Sequence, residues 1–188
     1  MSTAPSNFPE LMSAEEFLRL ESEQPMELVR GRIVTMSRPG FRHGRICIRI
    51  AILLQRHLDQ NDAGTIVGND AGVITERKPD TVRGPDVAFY SYERMPKGED
   101  PAGYPEQSPE LVFEVKSPDD RWKALQKKVG EFLDSNVLLV CILDPDTRTA
   151  HVYTPDDPVR VYGADESITF APVLSEWTVP VKQFFEAS

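Results

Sequence analysis

The sequence predicts an α/β (α+β) domain built as a mixed β-sheet flanked by helices. Three observations carry that expectation. Residues 138–143, LLVCIL, form an apolar run without alternation, as a central strand covered on both faces requires. Two segments, 42–58 and 121–133, repeat apolar residues at helical spacing. Around them lie short strand-like stretches separated by turn residues. With 188 residues, 40% hydrophobic and 27% charged, the chain is long enough to bury one real core.

The first ten residues, MSTAPSNFPE, are polar with two prolines and read as a flexible tail, leaving 11–188 as a single domain. In SAEEFLRLESE, Ser13 and Glu16 have capping-box spacing ahead of Phe17, Leu18 and Leu20, which predicts a short helix. ELVRGRIVTMS sets two apolar runs around Arg30-Gly31, the pattern of a β-hairpin. On a helical wheel of 42–58, Ile46, Cys47, Ile50, Leu54 and Leu58 make one broad apolar face, flanked by a stripe of Arg42, Arg45, Arg49 and Arg56. Strands are expected near 65–68, 72–75 and 86–90. The stretch 92–108, rich in Pro, Gly and Glu, reads as a surface loop, and 110–116 as a strand. The helix at 121–133 turns Leu125, Val129, Phe132 and Leu133 inward, with Asp119 or Asp120 placed to cap it. After 138–143 the DPDT turn leads to an antiparallel strand at 149–153. Further strand-like pieces and a short helix at 181–186 follow.

Charge narrows the function. Lys and Arg number 21 against 30 Asp and Glu, a net charge of −9, which argues against indiscriminate coating of nucleic acid but leaves a local basic groove open. Cys47 and Cys141 sit in apolar runs. They cannot make a structural zinc site and make a disulfide framework unexpected, so a reducing cytoplasm is the default location. No apolar stretch approaches the roughly 20 residues that span a bilayer, and the start lacks the basic and apolar regions of a signal peptide, so no membrane partner is expected.

The chemistry concentrates in GPDVAFYSYERMP and PELVFEVKSPDDRWKALQKKVGEFL. Residues i and i+2 of a strand share a face, so Glu114 and Lys116 are expected to project together, opposite Leu111, Phe113 and Val115. Burying either charge alone is costly, and the pair therefore implies a partner, a metal or a water-filled cleft. Asp86 follows Pro85 at the start of another strand. If the two strands are neighbours, Asp86 and Glu114 can converge on one hard cation, with the Val115 backbone carbonyl as a third oxygen. Mg²⁺ or Mn²⁺ prefers such oxygen donors. Lys116 would then orient or deprotonate a water at that cation.

Asp86 after Pro85, followed by Glu114-Val115-Lys116, resembles the PD-(D/E)xK signature of restriction-endonuclease-like nucleases. MELVRGRIVTMS, His43-Gly44, RGPDVAFYS, PELVFEVKSPDDR, the Lys128 helix and LDPDTRTAHVY resemble, in that order, the Uma-type family within that superfamily. The bare motif is short and degenerate; the ordered series, spanning about 26–153, is specific. The resemblance implies a restriction-endonuclease-like fold and a magnesium-dependent phosphodiesterase acting on DNA. It gives Asp86 and Glu114 as metal-binding acids and Lys116 as the catalytic lysine. Many members lack a lysine at that position and are thought to use one on the following helix, so Lys128 is a second candidate. Glu27 matches the family's recurrent early acid. His43 matches its His-Gly pair. Asn136 stands where the family usually has glycine, a change that left-handed geometry tolerates.

Each residue also has a plainer reading. Asp86 could cap a turn, and Glu114 with Lys116 could form a structural ion pair. Lys128 is either a site residue or a lysine snorkelling from the helix boundary, whereas Lys127 points to solvent. Glu27 fits a structural salt bridge as well as a metal site, and His43 a satisfied core position. The arginine stripe fits phosphate contacts, pairing with acids, or a dimer interface. Tyr90, Tyr92 and Trp122 offer stacking surfaces or simple packing. The expected function is a metal-dependent endonuclease, with a homodimer expected by analogy with nucleases that pair two active sites to cut both strands. A noncatalytic DNA- or protein-interaction module retaining the nuclease fold is the alternative.

Overall fold

A computed structural model describes residues 11–69 and 71–186; the expected flexible tail at 1–10 lies outside them. The elements run α1 (Ala14–Leu18), β1 (Met26–Val29), β2 (Arg32–Thr35), α2 (Phe41–Leu58), β3 (Gly64–Gly68), β4 (Val73–Glu76), β5 (Thr81–Arg83), β6 (Val87–Ser91) and β7 (Leu111–Val115). They continue with α3 (Trp122–Asp134), β8 (Leu139–Asp144), β9 (Thr149–Tyr153), β10 (Arg160–Tyr162), β11 (Ser167–Phe170), β12 (Leu174–Pro180) and α4 (Lys182–Phe185). The mixed α+β architecture is the expected one. No helix among the described residues is long and apolar enough to cross a membrane.

The central sheet has six strands in the order β10-β9-β8-β7-β6-β3. All neighbours are antiparallel except β7 and β8, which run parallel and are joined through α3. Every residue of β7 and β8 is buried, and the two faces divide them by alternation. Leu111, Phe113, Val115, Leu139, Cys141 and Leu143 enter a cluster with Ile46, Ile50 and Leu54 of α2 and with Phe170, Trp177 and Phe184. Val112, Val140 and Ile142 enter the opposite cluster with Leu125, Val129 and Phe132 of α3. The absence of polar alternation in LLVCIL is thus the signature of a strand with two dry faces.

The expected hairpin forms, with Arg30 and Gly31 both at positive φ, the geometry of a tight primed turn. It belongs to a separate four-stranded sheet, β2-β1-β5-β4. Strand β5 is only three residues long, too short for periodicity to reveal. The predicted capping box closes α1: Glu16 N–H donates to Ser13 Oγ at 3.2 Å, and Ser13 N–H to Glu16 Oε2 at 2.8 Å. The cap expected for α3 does not form. Arg121 occupies the cap position without a side-chain bond, and Asp120 instead accepts from Ser117 N–H at 2.7 Å.

The arginine stripe has a structural use. Arg45 donates to the carbonyls of Glu186 at 2.7 Å and Phe185 at 3.0 Å, and Arg49 to that of Gln183 at 2.9 Å. These carbonyls lie toward the end of α4, where a helix leaves acceptors unpaired and the macrodipole is negative. Arg42 pairs with Asp146 at 3.0 Å and also donates to the Pro145 carbonyl. Replacing Arg45 and Arg49 together by alanine should cost about 1–3 kcal/mol and speed amide exchange in 182–186. Unchanged exchange there would show that the arginines do not hold α4.

Candidate active site

Strand register brings the first two acids together. In the antiparallel β6–β7 pair, Val87 faces Phe113 and Ala88 faces Val112. One further step places Asp86, just before β6, opposite Glu114. The alternation that sends Phe113 toward α2 sends Glu114, like Val112, toward α3. There it meets Lys128, whose Nζ donates to Glu114 Oε2 at 3.0 Å and to the Gly84 carbonyl at 3.0 Å. Glu114 Oε1 lies 2.8 Å from the same ammonium but, among the described residues, accepts no hydrogen bond of good geometry.

Glu27 of β1 completes the cluster from the other sheet. Its Oε1 is 3.1 Å from Lys128 Nζ and accepts from Gly84 N–H at 3.1 Å. Its Oε2 accepts from Arg83 at 2.6 Å, and Arg83 also donates to Glu131 of α3 at 2.5 Å. Arg83 was not singled out from the sequence. The cue the sequence offers is a guanidinium immediately before the Gly-Pro-Asp turn. Lys127 projects outward, as expected, with a side chain 64% exposed and 3.5 Å from Glu131.

On the other side, His43 Nε2 lies 3.3 Å from Asp86 Oδ2, and the same oxygen accepts from Val115 N–H at 2.6 Å. Cys47, one turn along α2, places Sγ 3.4 Å from His43 Nδ1. Glu27, His43, Asp86, Glu114, Val115 and Lys128 all line one cleft of about 480 Å³.

Lys116 is not among them. Strand β7 ends at Val115, so Lys116 lies beyond the alternation that would have set it beside Glu114. Its Nζ sits 3.8 Å from Asp144 and 3.9 Å from Asp146, at the turn leaving β8. Tyr90 is buried in the core, Tyr92 donates to Asp62 at 2.9 Å, and the Trp122 ring packs 4.4 Å from that of His151.

The electrostatics are those of a site short of positive charge. Glu27, Asp86 and Glu114 converge on one buried ammonium, Lys128, while Arg83 is shared between Glu27 and Glu131. Burial pushes the Glu114 carboxyl up to about 8, with Lys128 opposing and Asp86 and Glu27 reinforcing. Burial works against the charge on Lys128, yet Glu114 and Glu27 outweigh it and hold the ammonium above its ordinary range. Glu27 is held below the usual carboxylate range: burial raises it, but Lys128 and Arg83 prevail. His43 is raised, since the Asp86 bond and charge exceed the cost of burial. A divalent cation fits this donor set. It would satisfy the unbonded Glu114 Oε1, keep that carboxyl ionised, and take hard oxygen ligands from Asp86 and Glu114.

A comparison with curated proteins finds no match. Among solved structures, the fold is similar to that of a protein from Anabaena variabilis described as "a putative nuclease belonging to DUF820". The two align with a TM-score of 0.78 at 21% identity, over 93% of this chain and 97% of that one. The model of the Uma2 family, described as "Putative restriction endonuclease", matches residues 14–182. That span covers nearly all of the described chain, from α1 to the start of α4, and the chain belongs to this family of restriction-endonuclease-like nucleases.

Proposed function

We propose that the protein is a Mg²⁺- or Mn²⁺-dependent endonuclease that hydrolyses DNA phosphodiester bonds at the Asp86–Glu114 cleft. One observation carries this reading. Lys128 is buried against Glu114 and Glu27 in the cleft that Asp86 also lines. A structural ion pair needs one acid, and here one buried ammonium meets two, with a third beside them.

Asp86 and Glu114 would hold the cation, with the Val115 carbonyl as a further oxygen. When bound, the cation supplies positive charge to the phosphate and makes a water more acidic. The rest falls to the side chains. The three Nζ donors of Lys128 face four oxygens, two of Glu114 and one each of Glu27 and Gly84. With Glu114 given over to a cation, Lys128 would keep Glu27 and Gly84 as anchors and have an N–H free to orient the attacking water. Glu27, held by Arg83, fixes Lys128 in place. His43 orients Asp86 from the α2 side. The water attacks phosphorus in line and gives its proton to bulk solvent, the P–O3′ bond breaks, and the departing 3′ oxygen takes a proton from solvent. Lys128, not Lys116, is the catalytic lysine on this reading, and Lys116 steadies the turn at Asp144. Residues 11–188 act as one domain, in the cytoplasm, and a homodimer supplies one site per strand.

The test is cleavage of plasmid and single-stranded DNA by purified protein in chelator, then with Mg²⁺ or Mn²⁺ restored. The Glu114→Gln protein controls for contaminating nucleases. Cleavage that needs the cation and is absent from the control is the expected result. Folded protein that cuts neither substrate with either cation would overturn the reading in favour of an interaction module.

A further inference from the structure

We infer that His43, Cys47 and Asp86 form a second metal site, suited to a borderline-soft divalent cation of the zinc class. A ring nitrogen of His43, Sγ of Cys47 and a carboxylate oxygen of Asp86 lie within 4.8 Å of one another. Two of the donors stand one turn apart on α2, so their side chains leave the same face of the helix. The third comes from the residue before β6, across the end of the sheet. All three residues are partly buried, and His43 and Asp86 line the cleft, which opens the site to an entering ion.

The donor set decides the kind of metal. Magnesium takes oxygen alone, whereas a mixed nitrogen, sulfur and oxygen set favours zinc and its relatives. Tetrahedral zinc, with bonds of about 2.0–2.3 Å, holds its donors about 3.3–3.8 Å apart. His43 meets Asp86 through Nε2 at 3.3 Å and Cys47 through Nδ1 at 3.4 Å; a metal takes one of these nitrogens, so the imidazole and the thiol must adjust to bring three donors that already lie within 4.8 Å onto one ion. Coordination converts the Cys47 thiol to thiolate and frees the imidazole nitrogen, releasing their protons to solvent. Two cysteines cannot build a structural zinc site, but a mixed site needs only one.

Asp86 is shared with the proposed magnesium site. Zinc is therefore expected to inhibit cleavage by withdrawing that carboxylate, a consequence that rests on the proposed function. The binding itself does not.

The experiment titrates the metal-stripped full-length protein with cobalt(II), whose thiolate complexes absorb in the near ultraviolet. The expected result is a thiolate-to-cobalt band in the native protein that zinc abolishes by displacement. The band should be lost in Cys47→Ser, lost or strongly weakened in His43→Gln, and kept in Cys141→Ala. Zinc affinity should fall about 100-fold or more in Cys47→Ser, at least what losing an outer-sphere partner costs. Circular dichroism checks each variant. Slowed alkylation of Cys47 by zinc, read by mass spectrometry, repeats the test on the native chain. No thiolate band in the native protein, or a band that survives Cys47→Ser, would overturn the site. Magnesium-dependent cleavage is measured on the same preparation. Cleavage without a cobalt band sinks this inference alone, and a band without cleavage sinks the proposed function alone.

Discussion

Lys128→Met should lower metal-dependent DNA cleavage by about 10²–10⁴-fold, the usual worth of a positioned proton-transfer or orienting group. Lys116→Met should retain most of it. Methionine keeps the length and apolar stem of lysine and removes the charge, so packing beside Phe132, whose ring lies 5.7 Å from Nζ, is largely preserved. The stability cost separates two roles as well. Breaking a buried ion pair by removing one partner typically costs about 3–5 kcal/mol. Here the cost should fall at or below the low end, because each stranded acid has a way out. Glu27 keeps Arg83, and Glu114, already pushed up to about 8, can take a proton. Initial rates on supercoiled plasmid, read beside thermal melts, make the comparison. Full activity in Lys128→Met with loss in Lys116→Met would return the catalytic role to the strand lysine.

The contrast between these lysines shows what a sequence can reveal. The pairing of Asp86 with Glu114 was legible because it depends on one short strand's alternation and one neighbour. The position of Lys116 was not, because the same alternation had to stop where β7 stops. One residue past that end, the parallel partner β8 brings Asp144 and Asp146 within reach of Lys116 instead. Lys128 could be placed at the helix boundary by the wheel, but its partners come from β1, β7 and the Gly84 turn, none of which is local. The arginine stripe shows the same limit. Its spacing on α2 is plain, whereas the carbonyls that occupy Arg45 and Arg49 come from α4, more than 130 residues away. Fold class followed from periodicity. The division into six-, four- and two-stranded sheets did not, because β5 is too short to carry a pattern and pairs β1 with β4 across the chain.

Strand β7 carries the core on one side and the site on the other, and Phe113→Ala should separate them. Phe113 is fully buried, with ring centroids 5.3 Å from Phe170 and 6.1 Å from both Trp177 and Phe184. It joins the sheet to the β11–β12 hairpin and α4 through one aromatic cluster. Truncation removes that contact and leaves a cavity that three rings from different elements cannot all close. The expected loss is about 3–5 kcal/mol, which at about 2–4 °C per kcal/mol for a chain of this size lowers the melting temperature by about 6–20 °C. Yet Phe113 points away from Glu114, and Val115 N–H, which donates to Asp86, lies on backbone still paired with β8. Well below its melting point, the variant should therefore retain most of the native cleavage rate. Phe113→Leu, which keeps more of the volume, should lose less stability and the same small fraction of rate. A variant that melts like the native protein but no longer cuts DNA would show that the aromatic face and the acidic face are not mechanically separate. The alternation argument for Glu114 would then fail with it, since the site could not be read from one strand's pleat.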